Sequence, residues 1–251
     1  MLIALILALQ AAPIHAQDEP ASYGVEVRFG PFAPAISDDA VIQDFYELMY
    51  NQDPDDSLFE FRPLMKTFEF DYYLLSDFGL LGLVGSIGHW SIDGPTRVCP
   101  AAADGSTCTP DTVFESEPGN DETRLTLVPM TAGVVYRLDA FKRGAPYIPL
   151  VPYVKGGLSY TLWWARASNG TSSREDIEGR GGNLGYFGTV GLALNIDWIE
   201  PATSQKARIG SDIADTFLFF DATLFQADGF SSDRLDLSDA FFQAGLAVDF
   251  F

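Results

Sequence analysis

His89 and Ser91 stand two positions apart in a glycine-rich stretch, Leu80 to Ser91, that reads as extended chain. Positions i and i+2 of a strand share a face, so an imidazole there could take the hydroxyl proton and turn Ser91 into a nucleophile. A carboxylate such as Glu115 or Glu117 would then orient the imidazole. The plainer alternative is Trp90 as a girdle aromatic with polar neighbours at a membrane rim. A second group carries charge: Glu26, Arg28, Glu69, Asp71, Arg137, Lys155, Asp197, Asp221 and Asp249 fall on the polar side of alternating segments. If that side lines a narrow lumen, opposite charges must pair, because an isolated buried charge is strongly unfavourable. The same row, in which acids outnumber bases, would also suit a narrow path for cations. A third group is Cys99 and Cys108, close together in an acidic stretch with Asp104, Asp111, Glu115, Glu117, Asp121 and Glu122.

Composition limits what these residues can do. The formal charge of −20 opposes binding to nucleic acid, whose phosphates would repel the chain. Leu2 to Leu9 is a short apolar core followed by Pro13 and a small residue, Ala16, at a cleavage edge. That is the pattern of a signal peptide over residues 1–16, leaving 17–251 as the mature domain, although no Lys or Arg precedes the core. Past that core no apolar run is long enough to cross a bilayer as a helix. In an exported chain Cys99 and Cys108 are expected to form a disulfide, and no histidine stands at zinc-ligand spacing beside them. The acidic stretch lacks the Asp-x-Asp-x-Asp-Gly order of a calcium loop. Neither a phosphate loop nor a nucleophile elbow occurs, and no cofactor is expected.

The elements that would position these residues are strands. Tyr23, Val25, Val27 and Phe29 alternate with Gly24, Glu26, Arg28 and Gly30 until Pro31 and Pro34 break the pattern. A long insertion follows, with a short helix expected from a Ser37 cap, Asp38 and Asp39 in the first turn, and Val41, Ile42, Phe45, Leu48 and Met49 at helical spacing. Thr67 to Leu75 sets Phe68, Phe70, Tyr72 and Leu74 opposite Glu69, Asp71 and Tyr73, and Ser76 to Gly79 turns the chain back. Leu80 to Ser91 shows no clean facing. Asp93-Gly94-Pro95 opens a loop that runs to about Glu122. Further strands are expected over Leu125 to Leu138, Tyr153 to Trp164, Leu184 to Trp198 and Thr216 to Gln226, with a short helical turn around Ser204 to Ile209. Phe241 to Phe251 closes the chain, with Phe242, Ala244, Leu246, Val248 and Phe250 opposite Gln243, Gly245, Ala247 and Asp249.

Eight strands with apolar rows outside and polar rows inside describe an all-β, antiparallel, up-and-down transmembrane barrel, with a short helix in its first long loop. An even count puts both termini on one side, the periplasmic one. Connections after the first, third and fifth strands are then long and outside, and those after the second and fourth are short and inside. The connection after the sixth is long for an inner turn. A soluble barrel of lipocalin type would instead bury the apolar row.

The closing strand resembles the terminal signature of outer-membrane barrels, polar-x-Gly-x-x-apolar-x-aromatic, in Gln243, Gly245, Val248 and Phe250. The resemblance implies recognition by the bacterial barrel-assembly machinery. Tyr72 to Gly79, Pro152 to Gly157 and Asp236 to Asp239 resemble small outer-membrane β-barrel proteins of the myxobacterial type, OmpA/OmpW-like eight-stranded barrels. That resemblance implies the cell outer membrane of a Gram-negative bacterium as location and membrane lipid as partner. The expected object is a monomer, structural or surface-interactive, with small-solute passage as a porin-like extension. His89-Trp90-Ser91 looks like the His-x-Ser of outer-membrane lipid A deacylases, which implies a lipid-facing hydrolase as the alternative.

Overall fold

The computed structural model describes residues 20–36, 63–76, 78–97, 118–138, 149–167, 179–197, 199, 206, 208, 210–230 and 235–251. The expected helix after Ser37, Cys99 and Cys108, Glu115 and Glu117, and residues 1–16 all lie outside these described residues.

Eight strands form one closed antiparallel barrel in sequence order. They are β1 (Tyr23–Pro31), β2 (Leu64–Leu75), β3 (Leu80–Arg97), β4 (Pro118–Arg137), β5 (Leu150–Ala167), β6 (Arg180–Asn195), β7 (Ile213–Gln226) and β8 (Asp239–Phe250). Each pairs with its neighbour, and β8 returns to β1 from Tyr23↔Phe250 to Phe29↔Ala244, so no edge is left open. The β-branched and aromatic residues of each strand stand on alternate positions, and closure sends one row outward and the other into the lumen.

The outward row is apolar. Phe29, Phe68, Phe70, Tyr72, Leu83, Ile87, Val134, Leu158, Val190, Phe220 and Phe242 are all exposed. Contiguous exposed apolar rows of this kind mark an interaction surface. It also runs opposite to a lipocalin-type barrel, whose apolar row would face inward. Tyr23 stacks on Phe70 and Phe250, and Phe220 on Phe242, at ring separations of 5.0 to 6.0 Å along this surface.

Glycines allow the walls to approach where a side chain would collide. A Cβ on Gly133 would come within 2.2 Å of the Gly156 carbonyl oxygen, and one on Gly157 within 2.3 Å of that of Ala132. These residues face each other across β4 and β5, with Gly133 opposite Gly157.

Several boundaries differ from those read in the sequence. The β3–β4 ladder runs on to Asp93↔Arg124, Gly94↔Thr123 and Pro95↔Glu122, where a loop was expected. Side-chain alternation ends there but backbone pairing does not. Arg124 grips Asp93 with Nε and Nη2 at 2.5 and 3.1 Å, tying the two strands together. β6 stops at Asn195, three residues before the expected Trp198, because the Asn195 side chain accepts the Asp197 N–H at 2.9 Å and starts a turn. β7 begins at Ile213 rather than Thr216, with a bulge between Ile213 and Asp215. Before it, Lys206, Arg208, Gly210 and Ser211 are helical.

Candidate functional site

Among the described residues, a cluster of ionisable side chains sits inside the barrel. Glu26 and Arg28 on β1, Glu69 and Asp71 on β2, Arg137 on β4, Lys155 on β5, Asp221 on β7 and Asp249 on β8 are all buried. Each lies on the inward side of its strand, where period-2 alternation puts it opposite the apolar belt.

Three cations organise them. Arg28 gives Nη1 to Asp221 at 2.7 Å, Nε to Glu26 at 3.0 Å and Nη2 to Glu69 at 2.8 Å. Arg137 gives Nη1 to both oxygens of Asp249, at 3.0 and 2.9 Å, and Nη2 to Asp71 at 3.2 Å and to Glu26. Lys155 Nζ donates to Glu26 at 3.0 Å, to Asp71 at 3.2 Å and to Glu69. Two phenols join from the same layer. Tyr153 donates to Asp221 at 2.6 Å and Tyr73 to Asp249 at 3.2 Å. The Arg28 guanidinium lies 4.7 Å from the Phe219 ring centre, and that of Arg137 lies 5.4 Å from the ring of Tyr73.

Glu26, Glu69 and Asp71 bring carboxylate oxygens within 4.8 Å of one another, a grouping that could hold a metal ion. The Lys155 ammonium bonds all three and so takes the place an ion would occupy. The arrangement is an internal salt, with no reactive group presented to a substrate.

Asp197 is the exception among the expected lumen charges. It lies beyond the end of β6, half-buried, and accepts the Thr216 N–H at 3.3 Å. It braces the turn into β7 and stands outside the cluster, because the early stop of β6 removes it from the alternating ladder.

Outward from the charges the lumen becomes uncharged. Ser86 and Thr131 hydroxyls are 2.6 Å apart, and those of Thr189 and Thr223 are 2.8 Å apart. Beyond them the mouth is shut by an apolar cluster that includes Phe32, Met65, Trp90, Leu127, Phe187, Phe225, Leu237 and Phe241. Phe32 is its centre, meeting Trp90, Phe225 and Phe241 edge-on at 5.9, 6.1 and 5.1 Å. The Trp90 indole donates to the carbonyls of Phe32 and Pro63 at 2.9 and 3.2 Å, holding the chain on both sides of the first loop across the mouth. From the other side Ala33 N–H donates to Asp239 at 2.7 Å, and Ala35 N–H to the Ser238 carbonyl at 2.9 Å. A second apolar group, including Val151, Phe217 and Ala247, packs within the same barrel.

Sequence reading missed this seal. Pro31 and Pro34 mark the end of a strand, and nothing in the local pattern says that Phe32 between them turns inward. The available signal was Trp90, a large aromatic whose N–H needs a buried acceptor. It faces the lumen, not the girdle.

His89 and Ser91 do share a face, as expected of i and i+2. That face is the outward one, with His89 exposed and Ser91 half-buried. Among the described residues no hydrogen bond joins them, and the cross-strand partners are Lys66 for His89 and Thr126 for Ser91. In β8, Gln243 and Gly245 face inward while Val248 and Phe250 face outward.

Just past β7, Asp228 accepts the Phe230 N–H and the Gln226 amide, both at 2.8 Å. These bonds, the backbone one first, hold its carboxyl below the usual range. They fix Phe230 in the left-handed region, φ 56°, with its ring stacked on Tyr186 at 6.4 Å.

No protein-family model and no curated protein sequence matches the chain. Solved structures do. Ail, the attachment invasion locus protein of Yersinia pestis, solved with the heparin analogue sucrose octasulfate, is 11% identical over 92% of this chain and 97% of its own, with a TM-score of 0.43. Neisserial surface protein A is 10% identical over 93% and 100%, with a TM-score of 0.44. The N-terminal β-barrel domain of Pseudomonas aeruginosa OprF is 15% identical over 92% and 98%, with a TM-score of 0.35. The chain is an eight-stranded antiparallel barrel similar to these small outer-membrane barrels.

Proposed function

We propose that this protein is a closed outer-membrane barrel of the myxobacterial type whose work is structural or surface-interactive, done by the connections at its outer end. The observation that carries this reading is the pairing of an apolar outward row with a lumen filled by ion pairs and sealed by Phe32 and Trp90. A barrel of eight strands is just wide enough for side chains to fill it. A filled barrel leaves its outer loops as the parts free to meet a partner.

Under this reading residues 1–16 are an export signal and Cys99 and Cys108 pair in the loop after β3. Gln243, Gly245, Val248 and Phe250 address the chain to the barrel-assembly machinery, and the protein works as a monomer in membrane lipid. Membrane fractionation tests it: the protein resists carbonate extraction and migrates differently on gels before and after boiling. Extraction by carbonate, or identical migration, contradicts it.

A second reading is favoured by one observation, that His89 and Ser91 both face outward, the side a membrane lipid would reach. There Ser91 would attack an acyl ester with His89 as base. A Ser91→Ala variant that leaves the acylation pattern of the outer-membrane lipid unchanged removes this reading.

A further inference from the structure

At the end of the barrel that carries the Phe32 seal, basic residues interrupt the apolar outward row. Lys66 on β2, His89 on β3, Arg124 on β4, Arg166 on β5 and Arg180 on β6 are all exposed there. Each stands in phase with the outward row of its strand. β7, β8 and β1, which complete the ring, put no Lys or Arg on their outward faces. The arc is one-sided, in a chain of formal charge −20.

The register crowds these cations together. Arg124 and Arg166 are directly opposite each other on β4 and β5. One step toward the middle of the barrel, Arg180 is directly opposite Trp164, whose side chain shares the Arg166 face. Lys66 is opposite His89 in the same way. Like charges set opposite each other on a sheet are destabilising unless an anion lies between them. Asp93 answers Arg124 at 2.5 Å, but among the described residues no carboxylate answers Arg166 or Lys66.

The anion that suits adjacent guanidinium groups is phosphate, which accepts two N–H bonds from one fork and can be shared between forks. From β4 to β6 is two strand spacings, about 10 Å, which accommodates more than one phosphate. What lies below the arc says what carries them. Leu158, Leu162, Leu184 and Val190 continue the same outward face and are exposed. Among them the face is recessed where Gly156 and Gly188 are directly opposite each other on β5 and β6. A Cβ at Gly188 would meet nothing within 4 Å, so that recess is open toward the outside. A soluble polyanion would use the arginines alone. An amphiphile with phosphate at its head and acyl chains below uses the whole face.

We propose that the outward face of β4 to β6 binds an anionic membrane lipid whose head group carries two phosphates, held by Arg124, Arg166 and Arg180. Its acyl chains lie along Leu162 and Leu184 toward the Gly156–Gly188 recess. The inference rests on the reading of this barrel as embedded in a membrane, and needs no chemistry at Ser91.

The test uses the purified, folded full chain in uncharged detergent micelles, with bound lipid counted by native mass spectrometry. The probes are lipid A with two phosphates and phosphatidylglycerol with one. The wild-type protein is expected to retain lipid A at least about tenfold more strongly than phosphatidylglycerol. An Arg124→Gln, Arg166→Gln double variant loses about tenfold or more of that retention, since each basic residue near an anionic head group contributes to holding it. Arg166→Gln alone gives the same direction of change should the double variant fail to fold. Lys206→Gln, which removes an exposed cation from the connection between β6 and β7, leaves retention unchanged. Equal retention of the two lipids, retention that the arginine variants do not alter, or displacement of lipid A by an equal concentration of inorganic pyrophosphate overturns the proposal. Flotation with phosphatidylcholine vesicles is run alongside. Protein that does not float denies the embedding and this site with it, whereas protein that floats without retaining lipid A denies the site alone.

Discussion

Arg137 and Asp249 lie 112 residues apart in sequence, yet Arg137 Nη1 bonds both oxygens of Asp249 at 3.0 and 2.9 Å inside the barrel. One residue closes β4 and the other stands next to last in β8, so the pair ties the middle of the chain to its end. Arg137 also reaches Asp71 and Glu26, which makes it the cation shared by the most widely separated carboxylates of the cluster.

Replacing Arg137 with Met is expected to destabilise the folded barrel by about 3–5 kcal/mol, because buried Asp249 is left without its counter-charge. The measurement is a urea unfolding series in detergent or lipid. Adding Asp249→Asn to that variant is expected to recover part of the loss, since the two residues couple directly. Additive losses from the two single changes would deny that the pair acts as a unit.

The apolar seal around Phe32 makes a separate prediction. Phe32→Ala removes a side chain that is 1% exposed and meets three aromatic rings, and should cost roughly 3–5 kcal/mol. A change below about 1 kcal/mol would mean that the first loop does not hold Phe32 in the mouth.

Much of this barrel was legible from alternation, and the reason is physical. In β1, β2, β5, β6 and β8 the outward-facing and lumen-facing rows differ in polarity, so period 2 shows at once. β3 was not legible because its inward row, Leu80, Val84, Trp90 and Ile92, is as apolar as its outward one, Leu81, Leu83 and Ile87. That inward row packs with other core residues, and a strand that is apolar on both faces carries no period-2 signal. The pairing of charges was likewise hidden. Alternation says that Lys155 points inward, but only the closed register brings it to Glu26 on β1 and Glu69 on β2. Phe32 lay beyond reach because a loop residue has no periodicity to read.

Gly245 offers a test of closure. A Cβ there would approach the Val27 carbonyl oxygen to 2.0 Å across the seam of β8 and β1, and the ring of Phe219 on β7 to 2.6 Å. Gly245→Val is expected to prevent the compact, heat-modifiable form from accumulating, as read by gel mobility without boiling. Normal accumulation would show that the seam tolerates a side chain.

Acid should loosen the connection after β7. The Asp228 carboxyl is held below its ordinary range by the Phe230 N–H and the Gln226 amide. A depressed carboxyl contributes stability above its unfolded value, about pH 3.9, and loses it as pH falls through the lower folded value. Amide hydrogen exchange at Phe230 is therefore expected to rise below about pH 4, and Asp228→Asn should weaken that dependence. Exchange that follows only the intrinsic pH trend would contradict this.

An embedded barrel that is shut passes no ions. The most direct measurement is ion flux across proteoliposomes carrying the wild-type protein, after flotation has shown which vesicles contain it. The protein is expected to float with the vesicles, and their ion flux to equal that of protein-free vesicles. Protein left in the soluble fraction, or flux that rises with the amount of protein incorporated, would contradict it.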